Sequence, residues 1–71
     1  MNGKGILLKD LKRGVFYIDR LSLNKVLVDF KTVTYGRELR LEWFATGYVG
    51  NEIKTYKIMN YQLEELSNTE H

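Results

Sequence analysis

The chain contains no cysteine and no proline, and its single histidine is His71, the last residue. Without cysteine, neither a disulfide framework nor a Cys-based zinc site can form. The sequence also has no histidine pair and no Asp-rich loop of the kind that binds metal ions, so we expect no metal and no other cofactor. A terminal histidine is a poor general base, because that role needs a fixed position. We therefore expect a protein that is not an enzyme.

Long apolar runs are also missing. No stretch of even ten consecutive residues is apolar, which argues against a membrane span or a signal-peptide core. Asn2 does not fit an N-myristoylation signal. These absences favour a cytoplasmic protein that makes no membrane contact.

The chain is short, and it is rich in aromatic residues. Its 71 residues are 13% Phe, Trp and Tyr, and each of these side chains can bury roughly 150–250 Å². We expect one domain spanning residues 1–71, with an ordered core over about 5–66 and flexible ends. A homodimer would give so small a core additional support.

Charge is distributed unevenly along the chain. Residues 1–60 contain all eleven Lys and Arg but only six of the nine Asp and Glu, which gives them a net charge of +5. The remaining three glutamates lie in residues 61–71. A basic body allows contact with phosphates, so nucleic acid is one class of partner to consider.

Turn residues recur at short, regular intervals between runs rich in Val, Ile, Tyr, Thr and Phe. This spacing is typical of an all-β meander. The predicted strands are Lys4–Lys9, Val15–Arg20, Lys25–Thr34, Glu38–Val49 and Glu52–Met59. Asn60–Leu66 is predicted to be a short helix, with Asn60 as its N-cap.

The last hairpin has the best-defined register. Gly50 stands at the first central position of a two-residue turn, as type II′ turns prefer. The turn places Tyr48 opposite Ile53 and Phe44 opposite Lys57, and these side chains point away from the core. We expect the Phe44 and Tyr48 rings to be substantially exposed. The opposite face should be core, formed by Trp43, Ala45, Tyr56 and Ile58.

The preceding hairpin is predicted with a loop at Tyr35–Glu38, which sets Lys31 opposite Glu42. A shorter loop would set Lys31 opposite Arg40, and like charges in that position are unfavourable. The inward residues are then Val26, Val28, Phe30, Leu39, Leu41 and Trp43. In the second strand we place Phe16 and Ile18 inward.

Two features of the long fourth strand need a separate interpretation. Arg37–Ala45 contains many good helix formers, and a helix ended by Gly47 is the alternative there. The alternation of apolar and charged residues favours a strand. Gly47 inside that strand indicates a bend or bulge, which would let the sheet curl into a small barrel.

The segment Asp10-Leu11-Lys12-Arg13-Gly14-Val15-Phe16-Tyr17-Ile18 resembles the opening of SH3-like small barrels, including KOW- and Tudor-type modules. Together with the strand count, this resemblance implies a five-stranded SH3-like barrel with a short C-terminal helical turn. The composition also looks similar to that of small bacteriophage-encoded proteins. Fold alone does not determine function.

The function prediction depends on the outer face of the sheet. Lysine and arginine side chains lie there among aromatic and apolar ones. Aromatic rings can stack on nucleic-acid bases, and the basic side chains can hold phosphates. The candidate binding residues are Lys31, Arg40, Phe44, Tyr48, Ile53 and Lys57. The alternative is a protein-interaction or assembly module, such as a homodimer, that uses the apolar part of the same face.

Overall fold

The computed structural model describes residues 4–66, and they form an all-β fold. The strands are β1 (Phe16–Asp19), β2 (Lys25–Tyr35), β3 (Glu38–Val49), β4 (Glu52–Lys57) and β5 (Leu63–Glu65). All pairings are antiparallel, in the order β4-β3-β2-β1-β5, and the sheet curls into a half-barrel. Within residues 4–66, no helix is long and apolar enough to cross a membrane.

The two long hairpins have the predicted registers. Tyr48 pairs with Ile53 and Phe44 with Lys57, while Lys31 pairs with Glu42. Gly50 has φ +69°, as the first central residue of a type II′ turn requires. Residues 38–45 are strand rather than helix, and Arg37 lies in the turn before them. The hydrophobic alternation therefore outweighs the helix propensity of this segment.

The prediction for the side chains of β1 was wrong. Tyr17 is buried, at 6% exposure, whereas Phe16 is 47% exposed. Tyr17 pairs with the fully buried Val26, and its hydroxyl accepts a hydrogen bond from the Lys12 N–H at 3.0 Å. A tyrosine can point into the core because this bond satisfies its polar end.

Both terminal segments also differ from the prediction. In place of a strand at Lys4–Lys9, the chain makes a 3-10 turn at Leu8–Asp10. In place of a helix at Asn60–Leu66, a turn leads into β5, which pairs with β1. Tyr61 has φ +67°, which is incompatible with a continuing helix. The strand gives β1 a partner on its otherwise open edge. The predicted flexible ends, except Lys4, lie outside the described residues.

The core lies on the concave face of the sheet. Its buried apolar residues are Leu11, Tyr17, Val26, Val28, Trp43, Ala45, Ile58 and Leu63. Leu39 and Leu41 were predicted to join it, but they are 68% and 57% exposed. They do lie on the same side of β3 as Trp43, in a part of the hairpin that extends beyond the core.

We call residues 31–42 the arm. The paired residues of β1 reach only Leu27 on β2, and those of β4 reach only Phe44 on β3. Within the described part of the chain, the arm therefore has no neighbouring strand on either side. It contributes to an elongated outline of 48 × 28 × 19 Å.

Candidate binding face

The outer face of the sheet carries all six predicted binding residues. Strand registers place Lys31 beside Glu42, Phe44 beside Lys57, and Tyr48 beside Ile53. Arg40 lies on the same side of β3, because alternate residues of a strand share a face. Five of the six residues belong to two neighbouring areas with different chemistry, and Phe44 lies between these areas along β3.

The first area, which we call the charged cluster, comprises Lys31, Tyr35, Arg40, Glu42 and Lys57. Glu42 is its centre: the Tyr35 hydroxyl donates to Glu42 Oε2 at 2.6 Å, and Lys57 Nζ lies 3.2 Å from the same oxygen. The Tyr35 hydrogen bond, with help from Lys57, holds the pKa of Glu42 below its usual value. Glu42 is therefore negatively charged at neutral pH.

Most of the predicted phosphate-binding charge is already paired. Lys57 pairs with Glu42, and Arg40 Nη2 lies 3.1 Å from Glu38 Oε1. Of the three basic residues predicted to bind, only Lys31 has no carboxylate at ion-pair distance within residues 4–66. A phosphate approaching the charged cluster would also meet the charge of Glu42, so the cluster is a poor anion site.

The two aromatic residues predicted to be exposed differ. Tyr48 is 58% exposed, in agreement with the prediction. Phe44 is only half-buried rather than substantially exposed, and the Lys31 ammonium lies 5.3 Å from its ring centroid. Because a cation covers this ring, Phe44 offers less stacking surface than the sequence predicted.

The second area is an apolar groove of about 420 Å³ at the other end of the same face. The side chains that define it are Phe16, Lys25, Leu27, Thr46, Tyr48 and Ile53. Phe16 pairs with Leu27 across β1 and β2. Asn24 Nδ2 donates to the Tyr48 carbonyl at 2.9 Å and so connects the loop before β2 to the end of β3. Residues of all four strands β1 to β4 thus line the groove.

Sequence reasoning missed Phe16 and Lys25 as site residues. Phe16 had been placed in the core because β1 was oriented the wrong way round. The charged Asp19 favoured this wrong orientation, since placing Tyr17 inward brings Asp19 inward too. Asp19 is 2% exposed and accepts hydrogen bonds from the Tyr56 hydroxyl and from the Leu21 N–H. These hydrogen bonds offset the free-energy cost of burying the Asp19 carboxylate.

The groove carries a single basic side chain. Lys25 Nζ lies 5.0 Å from the Phe16 ring centroid and has no carboxylate at ion-pair distance within residues 4–66. Thr46 Oγ1 and Thr55 Oγ1 are 2.8 Å apart and satisfy each other. The groove therefore combines an apolar floor with one positive charge at its rim.

Asp29 and Tyr56, which lie outside these two areas, have structural partners. Asp29 forms an ion pair with Arg13 at 2.8 Å. Burial, reinforced by the hydrogen bond to Asp19, raises the pKa of Tyr56. Among residues 4–66, no group of three or more His, Asp or Glu side chains is placed to hold a metal ion.

Comparison with protein-family models, curated proteins and solved structures found no match. The geometry of the outer face therefore carries the functional argument.

Proposed function

We propose that this chain is a non-catalytic binding module whose apolar groove accepts an apolar side chain of a protein partner. The observation that carries this proposal is the groove itself, in which Phe16, Leu27, Tyr48 and Ile53 meet beside Lys25. The Lys25 ammonium would pair with a carboxylate next to the inserted side chain. The preferred ligand is thus an aromatic or aliphatic residue followed by Asp or Glu.

Exposure of the groove residues supports a binding role. Phe16, Tyr48 and Ile53 are 47%, 58% and 63% exposed although they lie together. Concave binding sites are lined mainly by apolar and aromatic side chains with a few polar groups. Aromatic side chains at the centre of an interface also supply much of its binding energy. Burying one inserted Leu or Phe would contribute about 1.5–3 kcal/mol.

Nucleic acid is the second candidate partner. It is favoured by the exposed Tyr48 ring and by Lys25 and Lys31, which have no carboxylate at ion-pair distance within residues 4–66. Bases would stack on the Tyr48 ring while the lysines contact phosphates. The paired charges around Glu42 weaken this candidate, so we rank it below the protein partner. Membership of the SH3-like superfamily is likewise our proposal, supported by the curled sheet of five antiparallel strands.

Two labelled probes distinguish these candidates. One is a short peptide with Phe followed by Glu, and the other is a ten-nucleotide single strand of thymidine. We expect the peptide to shift the backbone NMR signals of Phe16, Leu27, Tyr48 and Ile53. We expect its binding to change little between low and high salt, since apolar burial dominates.

Matched variants test the assignment of the groove. Ile53→Ser should weaken peptide binding at least fivefold, whereas Leu21→Ser, at an 83% exposed position outside the groove, should leave it unchanged. Lys25→Glu should reverse the preference, so that a Phe-Lys peptide binds better than Phe-Glu. Tight binding of the oligonucleotide with a steep loss in salt would instead support the nucleic-acid function. No signal shift at the groove with either probe would reject both.

A further inference from the structure

A larger hollow of about 760 Å³ lies at the end of the molecule where the first residues of the described chain meet β5. We call it the end cavity. Its apolar wall includes Ile6, Leu7, Val15 and Leu66. The proposed function does not use this cavity, although Phe16 lines both the end cavity and the groove.

Backbone contacts hold the walls of the end cavity in place. The Ile6 N–H donates to the Leu63 carbonyl at 2.8 Å, and the Tyr61 N–H donates to the Ile6 carbonyl at 2.9 Å. Gly5 lies so close to this turn that a Cβ atom there would overlap the Tyr61 backbone. A cavity whose walls are fixed before binding loses less conformational entropy when a ligand enters.

A buried tyrosine supplies one polar group to the wall of the end cavity. Tyr17 is 6% exposed, and its hydroxyl oxygen accepts a hydrogen bond from the Lys12 N–H at 3.0 Å. Within residues 4–66 this hydroxyl has no acceptor for its own hydrogen. Buried tyrosine hydroxyls usually have a hydrogen-bond partner, and a ligand oxygen in the end cavity would provide one.

Two opposite charges also line the end cavity. Lys12 lies at the hydroxyl end of the Tyr17 side chain, whereas Glu65 pairs with Tyr17 across β1 and β5 and so lies at its backbone end. Neither Lys12 nor Glu65 has an oppositely charged partner at ion-pair distance within residues 4–66. Asp10, the third charged residue of the wall, is already paired with Lys9 at 3.3 Å.

We infer that the end cavity binds a small zwitterion with an apolar body, namely an apolar α-amino acid. Its carboxylate would accept the Tyr17 O–H and pair with the Lys12 ammonium, and its own ammonium would pair with Glu65. Its side chain would pack on the apolar wall, as in other small-molecule sites that combine apolar surface with a few polar groups.

The two charges select this class of ligand. A simple anion in the end cavity would be repelled by Glu65, and a simple cation would be repelled by Lys12. A zwitterion avoids both repulsions, because it presents one charge to each residue. The inference concerns a different site from the groove and does not depend on the proposed function.

Binding should be weak. Lys12 and Glu65 are exposed, and ion pairs between exposed groups contribute little to affinity. An amino acid also has few atoms with which to make contacts. We expect a dissociation constant near about 1 mM for L-phenylalanine.

NMR titration of the full chain with L-phenylalanine tests the inference. The backbone signals of Ile6 and Val15 should shift, while those of Leu27 and Ile53, which line the groove and not the end cavity, should stay in place. Phe16 cannot report on either site alone, because it lines both. Phenylacetate, which lacks the amine, and phenethylamine, which lacks the carboxylate, should each bind about two- to fivefold more weakly.

Single-charge variants assign the two ends of the ligand. Lys12→Gln should weaken binding of phenylalanine and phenylacetate by about two- to fivefold and leave phenethylamine binding no weaker. Glu65→Gln should weaken phenylalanine and phenethylamine and spare phenylacetate. Lys54→Gln and Glu64→Gln, at positions that do not line the end cavity, should bind all three compounds as the native chain does.

Three outcomes would overturn the inference. The first is that about 10 mM phenylalanine shifts no signal at the end cavity, or shifts only those of the groove. The second is that the native chain binds the three compounds equally well, a comparison that does not depend on how any variant folds. The third is that Lys12→Gln and Glu65→Gln, shown to be folded by circular dichroism, keep the native preference among the three compounds.

Discussion

Gly47 offers the sharpest test of how the core is packed. It lies within β3, where a Cβ atom would be 2.6 Å from Val26 Cγ1 and 3.2 Å from the Lys25 carbonyl oxygen. Val26 is fully buried and cannot move aside freely. The glycine therefore permits the close approach of β2 and β3. We predict that Gly47→Ala destabilises the protein, although the same change in an open strand would stabilise it.

The magnitude follows from two opposing effects. Replacing a strand glycine by alanine gains about 0.5–1 kcal/mol of backbone entropy. Inserting one methyl group into a packed core costs about 1–3 kcal/mol. The net loss is about 0.5–2 kcal/mol. A domain of this size has a total stability of roughly 4–10 kcal/mol, so the melting temperature should fall by several degrees to about 15 °C.

A double-mutant cycle with Val26→Ala checks the cause. That change removes the Cγ1 atom that the new methyl group would meet, and by itself costs about 2–3 kcal/mol. We expect urea unfolding of the double variant to show a loss smaller than the sum of the single losses, by about 0.5–2 kcal/mol. Additive losses, or a Gly47→Ala variant as stable as the native chain, would refute the packing argument.

Three further predictions concern the core and its polar pair. Trp43→Ala should cost about 3–5 kcal/mol in chemical unfolding, because its ring is 9% exposed and packs on Phe30; a well-folded variant by NMR would contradict its place in the core. Asp19→Ala should lower the free energy of unfolding by about 1–3 kcal/mol, because the Tyr56 hydroxyl loses its acceptor; an unchanged urea midpoint would contradict this. Since burial raises the pKa of Tyr56, the contribution of this residue to stability should be constant below pH 10 and should fall as pH rises above it; Tyr56→Phe should reduce that alkaline loss, and an equal loss in this variant would argue against Tyr56 as its cause.

The sequence alone determined the two long hairpins. Gly36 and Gly50 are placed where turns need positive φ, and both have it. The pairing of Lys31 with Glu42 selected one register, and the alternation of Leu39, Leu41 and Trp43 with Arg40 and Glu42 agrees with it. These are local interactions between residues near in the chain, so sequence spacing predicts them.

Other features depend on contacts between distant segments. The side of β1 that faces inward is set by Tyr17, whose hydroxyl bonds to the Lys12 backbone, and by Asp19, whose partner Tyr56 lies 37 residues away. β5 pairs with the edge of β1, whose backbone N–H and C=O groups would otherwise be unpaired. Sequence spacing cannot supply either fact.

In the candidate sites, too, some features follow from local sequence and others depend on contacts between distant segments. Tyr48 and Ile53 were placed together by one turn, but the groove also needs Phe16 and Leu27 from β1 and β2. Leu39 and Leu41 alternate as core residues do, and they are exposed because the neighbouring strands end before the arm begins. The sequence determined which side of the hairpin these leucines occupy. Only the tertiary structure decided that nothing in residues 4–66 covers them, since burial depends on how far the adjacent strands extend.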